Sequence, residues 1–218
     1  MGAYSGAKKF FKKPLEQVAK NLGYKEDDIL ILSGDEETLR KNFPATYQNI
    51  LSCKHHSDRR TPLAYAQDLV ASWLVEDSFL DTFNRCGLEA TLDGADNNRQ
   101  ILSESKTSAS SDFSITHNGI SRKLELMNDY TGFWAQYHRL HLRDSKYQNM
   151  EREHSLFLAV SMETKEFALF DFNEEINAEY IKFHRPYGNK PAYELSITND
   201  MMHYASGENI CNEIIKHF

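Results

Sequence analysis

The feature that most constrains this chain is the pair Asn118-Gly119, set between two runs of alternating pattern, Ser111 to His117 and Ile120 to Met127. An Asn-Gly pair tolerates the positive φ values of a tight two-residue turn, so the segment predicts a β-hairpin. Side chains on a strand alternate faces, which places Asp112 with Ser114 and puts Glu125 on one face with Lys123 and Met127. Folding the hairpin then brings one carboxylate from each strand together. Converging carboxylates at a sheet end suit a hard, oxygen-seeking cation such as Mg²⁺. Such a cation polarises a phosphate and activates water, the chemistry of phosphodiester cleavage. The spacing taken alone favours a plainer reading, an ordinary hairpin with solvated acids.

The 218 residues suffice for one well-cored domain. The chain carries no linker-like shift in composition and no internal repeat. A net charge of −7 argues against a protein that coats nucleic acid non-specifically. It does not exclude a nucleic-acid enzyme, which needs only a local basic lining beside an acidic metal site. Cys53, Cys86 and Cys211 are scattered and odd in number, so no disulfide framework is expected. The N-terminal residues lack the apolar core of a signal peptide, and no apolar run approaches a membrane span. A cytoplasmic setting is the expectation.

Leu15, Val18 and Leu22 predict a helix over 7–22, ended by Gly23. Short helices follow from Glu36 to Phe43 and, after Pro44, through Ile50 and Leu51. Thr61-Pro62 is a strong helix entry, with Thr as N-cap and Pro in the first turn. The apolar positions from Leu63 to Leu80 extend that helix to about Arg85, closed by Gly87. Strands are predicted at 88–92 and 99–102, then the hairpin, then a helix from Phe133 to about Tyr147. Alternating runs at 156–162 and 167–172 read as strands around the turn 163–166. Further strands are expected at 176–183 and 193–197, and a closing helix at about 208–217. This order predicts an α/β protein with a mixed central sheet flanked by helices. The expectation is one domain: a core at about 61–172, a helical part at 1–60, and a loop-rich part at 173–218 suited to DNA recognition.

The long helix, the strands bearing Asp112 and Glu125, and the helix and strand that follow resemble the αβββαβ core of the PD-(D/E)XK nucleases. Residues 111–130 carry the resemblance. Within that superfamily, Leu124-Glu125-Leu126-Met127-Asn128-Asp129-Tyr130 is similar to type II restriction endonucleases. The resemblance implies that Asp112, Glu125 and the carbonyl of Leu126 hold Mg²⁺. It also implies double-stranded DNA as substrate and, for cleavage of a palindrome, a symmetric homodimer. Ser111 stands where the family has Pro. More consequential is Met127 at the position of the motif's Lys, because a thioether can neither stabilise a crowded phosphate nor help deprotonate water. Lys123, on the same strand face as Glu125, is the candidate to supply that charge, beside its plainer reading as a solvated strand-end lysine.

Two literal Glu-x-Lys triplets lie elsewhere, Glu104-Ser105-Lys106 before Asp112 and Glu163-Thr164-Lys165 in a predicted turn. Neither has the strand context of Glu125. Arg139, Arg143 and Lys146 share one face of the helix predicted from Phe133, a row that can track phosphates or simply be solvated. Asn128, Asp129 and Tyr130, leaving the metal-bearing strand, are candidates to reach bases. So are Arg185, Asn189 and Lys190 in the polar loop 182–190, and the basic loop 54–60. Cys53, His55 and His56 match no zinc spacing. Glu76 on the long helix is a further, weaker carboxylate. The sequence therefore points to a Mg²⁺-dependent type II restriction endonuclease. Its rivals are an inactive nuclease-like fold that only binds DNA or protein, marked by Met127, and a repair or defence nuclease without palindromic specificity.

Overall fold

In the computed structural model, Lys12 adopts a left-handed backbone (φ 52°) ahead of Pro14. The helix expected over 7–22 is thereby broken into α1 (Ala3–Phe11) and α2 (Leu15–Asn21). The structure describes residues 2–53, 59–94, 98–101 and 111–218. The zinc reading at His55-His56, most of the basic loop 54–60, the turn residues 95–97 and the triplet Glu104-Ser105-Lys106 lie outside them. After α2 come α3 (Glu26–Ser33), which the sequence reading lacked, α4 (Glu36–Asn42), α5 (Pro44–Cys53) and the long α6 (Pro62–Arg85).

The chain divides into two compact units. One comprises Met1–Ser78 with Ala95–Ser108, the other Phe79–Gly94 with Ala109–Phe218. The first unit is helical, with Leu15, Ile31, Leu32, Leu39, Trp73 and Leu74 fully buried. Arg99 ties it together, bonding Glu76 at 2.7 Å and Asp77 at 2.5 Å. Residues 99–101 form no strand, contrary to the expectation for 99–102.

The second unit holds β1 (Glu89–Leu92), β2 (Phe113–His117), β3 (Ile120–Asp129), α7 (Phe133–Tyr137), β4 (Arg139–Arg143), α8 (Asp144–Glu153), β5 (Leu156–Ser161), β6 (Glu166–Asp171), β7 (Ala178–His184), β8 (Lys190–Ser196), β9 (His203–Tyr204) and α9 (Gly207–Ile215). Asn118 and Gly119 have φ of 51° and 79°, the two positive values the predicted tight turn requires. A six-stranded sheet runs β1-β2-β3-β5-β6-β9, antiparallel except where β3 pairs parallel with β5. A parallel pair needs a crossover, and here it contains α7, β4 and α8. The helix expected over 133–147 is thus corrected to helix, strand, helix. His138 (φ 53°) stops α7, and Arg139-Leu140-His141-Leu142-Arg143 then alternates exposed and buried positions as a strand does. β4 joins β8 and β7 in a second, three-stranded sheet.

The main sheet is covered on both faces. Phe83 from the end of α6 meets Phe113 edge-on at 5.5 Å on one face. Glu125 pairs across β5 with Phe157, and Phe157 across β6 with Phe170, so these three share the other face. There Tyr147 and Met150 of α8 pack into the same buried cluster as Phe157, Ala159 and Phe170. Mixed α/β architecture with helices flanking a mixed sheet is therefore observed. Among the described residues no helix is long and apolar enough to cross a membrane.

Candidate metal and phosphate site

Beyond Phe113 the β2 backbone leaves β3, and the Asp112 side chain continues the ladder in its place. Its Oδ2 accepts a hydrogen bond from the Leu126 N–H at 2.8 Å, beside the peptide that links Glu125 to Leu126. The Asp112 carbonyl meanwhile accepts from the Asp93 N–H at 2.9 Å. Strand residues direct N–H and C=O to the same edge, so the Leu126 carbonyl opens on the Asp112 side as well. Asp112, Glu125 and that carbonyl are hard oxygen donors at one edge position of β3, of the chemistry that Mg²⁺ takes.

Glu125 is only 8% exposed, and a buried carboxylate is costly without a cation. Lys146, in the first turn of α8, supplies one: its Nζ lies 2.7 Å from Glu125 Oε2. Lys123 is on the same strand face, but its Nζ is held by Asp93 Oδ2 at 2.5 Å. Two ion pairs, Lys146–Glu125 and Lys123–Asp93, thus lie on this part of the sheet, from β3, α8 and the residue after β1. Lys146, expected in a phosphate-tracking row, instead faces Glu125, and Asp93 enters from a predicted turn. The Asp93 contribution follows from the β1–β2 register, Leu92 opposite Phe113, which one sequence does not display.

Other candidate residues are placed differently. Asn128 is on the opposite strand face from Glu125, and its buried Oδ1 has no hydrogen-bond partner among the described residues. Asp129 holds the turn into α7, accepting from Thr131 N at 2.7 Å, Thr131 Oγ1 at 2.6 Å and Trp134 N at 3.3 Å. Tyr130 is 9% exposed. None of the three presents an exposed side chain. Arg139 and Arg143 lie on β4 and share no helix face with Lys146. Arg185, Asn189 and Lys190 are exposed around the short turn between β7 and β8. Glu76, in the first unit, is paired to Arg99.

The opposite face of the sheet carries a second ionic cluster that the sequence did not announce. Arg122 of β3 bonds both oxygens of Asp171 on β6, one of them at 2.6 Å. The same carboxylate accepts from Asn173 N at 2.8 Å and contacts His217 Nδ1 at 2.9 Å. Burial alone would raise the Asp171 carboxyl, but the bonds from Arg122, Asn173 and His217 outweigh it and hold it below the usual carboxylate range. With Glu174 and His217, Asp171 offers donor atoms within 4.8 Å of one another, geometrically adequate for a metal. The guanidinium already neutralises that carboxylate, so a second cation there meets an occupied ligand. No protein-family model matches the chain, and no curated protein matches it.

Proposed function

We propose that the chain is a Mg²⁺-dependent endonuclease acting on double-stranded DNA, with a PD-(D/E)XK-like core. One observation carries this reading. Asp112, the residue before β2, bonds the peptide that follows Glu125 on β3, and an ammonium reaches Glu125 from the helix that precedes the parallel strand. Bound Mg²⁺ would supply Lewis acidity at the scissile phosphate and a more acidic water. Asp112, Glu125 and the Leu126 carbonyl would hold it. Lys146 answers the difficulty raised by Met127: its ammonium, two residues into α8, supplies the positive charge that a thioether cannot. In this reading it would hydrogen-bond the attacking water or a phosphate oxygen. Lys123, tied to Asp93, stands one strand repeat away and assists by its charge.

The test is digestion of phage DNA with Mg²⁺, beside Asp112→Ala. Discrete fragments absent in the variant support a site-specific restriction enzyme, in which case two-fold symmetry of the cut predicts a homodimer by sedimentation. A smear indicates a non-specific nuclease of the same core. Retained binding without cleavage under any divalent ion overturns both and leaves a binding domain, in which Asp112 serves only to extend the β ladder.

A further inference from the structure

A continuous row of rings runs from α7 across β4 and the end of β7 to the turn that follows it. Tyr137 and Phe133 of α7 lie 4.9 Å apart, Phe133 and His141 of β4 5.9 Å, His141 and His184 4.4 Å, and His184 and Tyr187 4.5 Å. A guanidinium closes each end. Arg139 sits 5.8 Å from the Tyr137 ring and Arg143 5.6 Å from the Tyr187 ring. Packing of a core does not account for the row. Phe133 is 40% and Tyr137 50% exposed, and on β7 Phe183 is 67% exposed with Lys182 over its ring. Near its middle, the buried His184 leaves Nδ1 without a hydrogen-bond partner among the described residues, a cost that fold stability alone does not reward.

The charge of this region runs against that of the chain. Residues 137–143 and 178–196 hold five Lys and Arg against two Glu, in a protein of net charge −7. The occupant that fits is therefore anionic and offers flat faces. A duplex keeps its base faces stacked within the helix and shows phosphates and base edges outside. Exposed rings flanked by guanidinium groups are matched instead by bases that are not paired, which stack on aromatic and arginine planes while the backbone follows the cations.

We propose that the row from Tyr137 to Tyr187 binds an unpaired stretch of nucleic acid, stacking its bases on Phe133 and Tyr137. The proposal rests on the nucleic-acid reading above but not on cleavage, so binding is measured in EDTA. Fluorescence anisotropy is recorded with labelled oligo-dT, oligo-U and a DNA hairpin of equal length, at fixed salt. The single strands are expected to bind about tenfold or more tighter than the hairpin, and the tighter of the two identifies DNA or RNA as the source. Tyr137→Ala and Phe133→Leu, each checked for unchanged melting, are expected to weaken single-strand binding about fivefold or more and leave hairpin binding within about twofold. Tyr204→Ala, an exposed aromatic on β9 (61% exposed), serves as the control expected to change neither. Equal or tighter hairpin binding, no effect of the two variants, or no binding of any oligonucleotide overturns the proposal. Cleavage of duplex with no single-strand preference defeats this inference alone, whereas single-strand binding without cleavage defeats the nuclease reading alone.

Discussion

Two ionic clusters occupy opposite faces of one six-stranded sheet, and they differ in what holds their carboxylates. Asp171 is gripped by a guanidinium buried as deeply as itself, with side-chain exposures of 8% and 7%. Glu125 is as deeply buried, but its cation ends a lysine side chain that remains 27% exposed. A planar guanidinium fork on a carboxylate is a fixed joint, while an ammonium on a four-carbon stem turns aside for a competing cation or phosphate. Burial alone therefore does not separate a clamp from a reacting group. The exchangeability of the partner does.

The comparison breaks first at Glu125. Glu125→Gln is expected to lower Mg²⁺-dependent cleavage by about a thousandfold, with little change in thermal melting; a large loss of stability with cleavage intact would make it a clamp like Asp171. Arg122→Met should do the reverse. Removing one member of a buried pair costs about 3–5 kcal/mol, read by urea unfolding, and the folded fraction should cleave at the normal rate. Lys146→Gln is expected to reduce cleavage by roughly 10–100-fold and Lys123→Gln by less, by analogy with other charge-assisted contacts. If the larger loss falls on Lys123→Gln, the motif charge belongs to β3 after all.

The smallest effects concern pH. Asp171, with its carboxyl lowered, adds stability above the usual carboxylate range that is lost as pH falls through its own lower value. Asp171→Asn should accordingly flatten the acid limb of the melting profile. Asp28 is the contrasting case. Burial, helped by neighbouring Asp27, raises its carboxyl to about 6, so the folded state binds more protons and stability falls as pH rises from about 4 to 6. Asp28→Asn should raise Tm by roughly 3 °C at pH 7.5 and by nothing at pH 4. An equal shift at both values would remove the titration from the account.

The features legible in the sequence were those set by local chemistry. Asn118-Gly119 specified a turn, Thr61-Pro62 a helix start, and the period-2 runs specified β5 and β6. The error over 133–147 has a physical cause. Leu140 and Leu142 suit a strand, but basic residues spaced by four and three also satisfy a helix, and the left-handed His138 that separates the two readings carries no Gly or Pro. The Lys146–Glu125 and Arg122–Asp171 pairs join residues 21 and 49 positions apart. Such contacts depend on sheet order and crossover path, which periodicity does not encode. Asp112 was legible as a carboxylate on a strand end; that it would complete the ladder to Leu126 was not.

Arg143 ends β4 and Asp144 begins α8, with no residue between them. A strand therefore sets the phase of the helix that carries Lys146. Each residue added at that joint advances the helix by about 1.5 Å and turns it by about 100°, swinging the ammonium away from Glu125 while leaving both elements intact. The chain has no slack there to take up the rotation. Insertions that surface loops elsewhere would absorb become, at this one peptide bond, a change of bearing at the carboxylates.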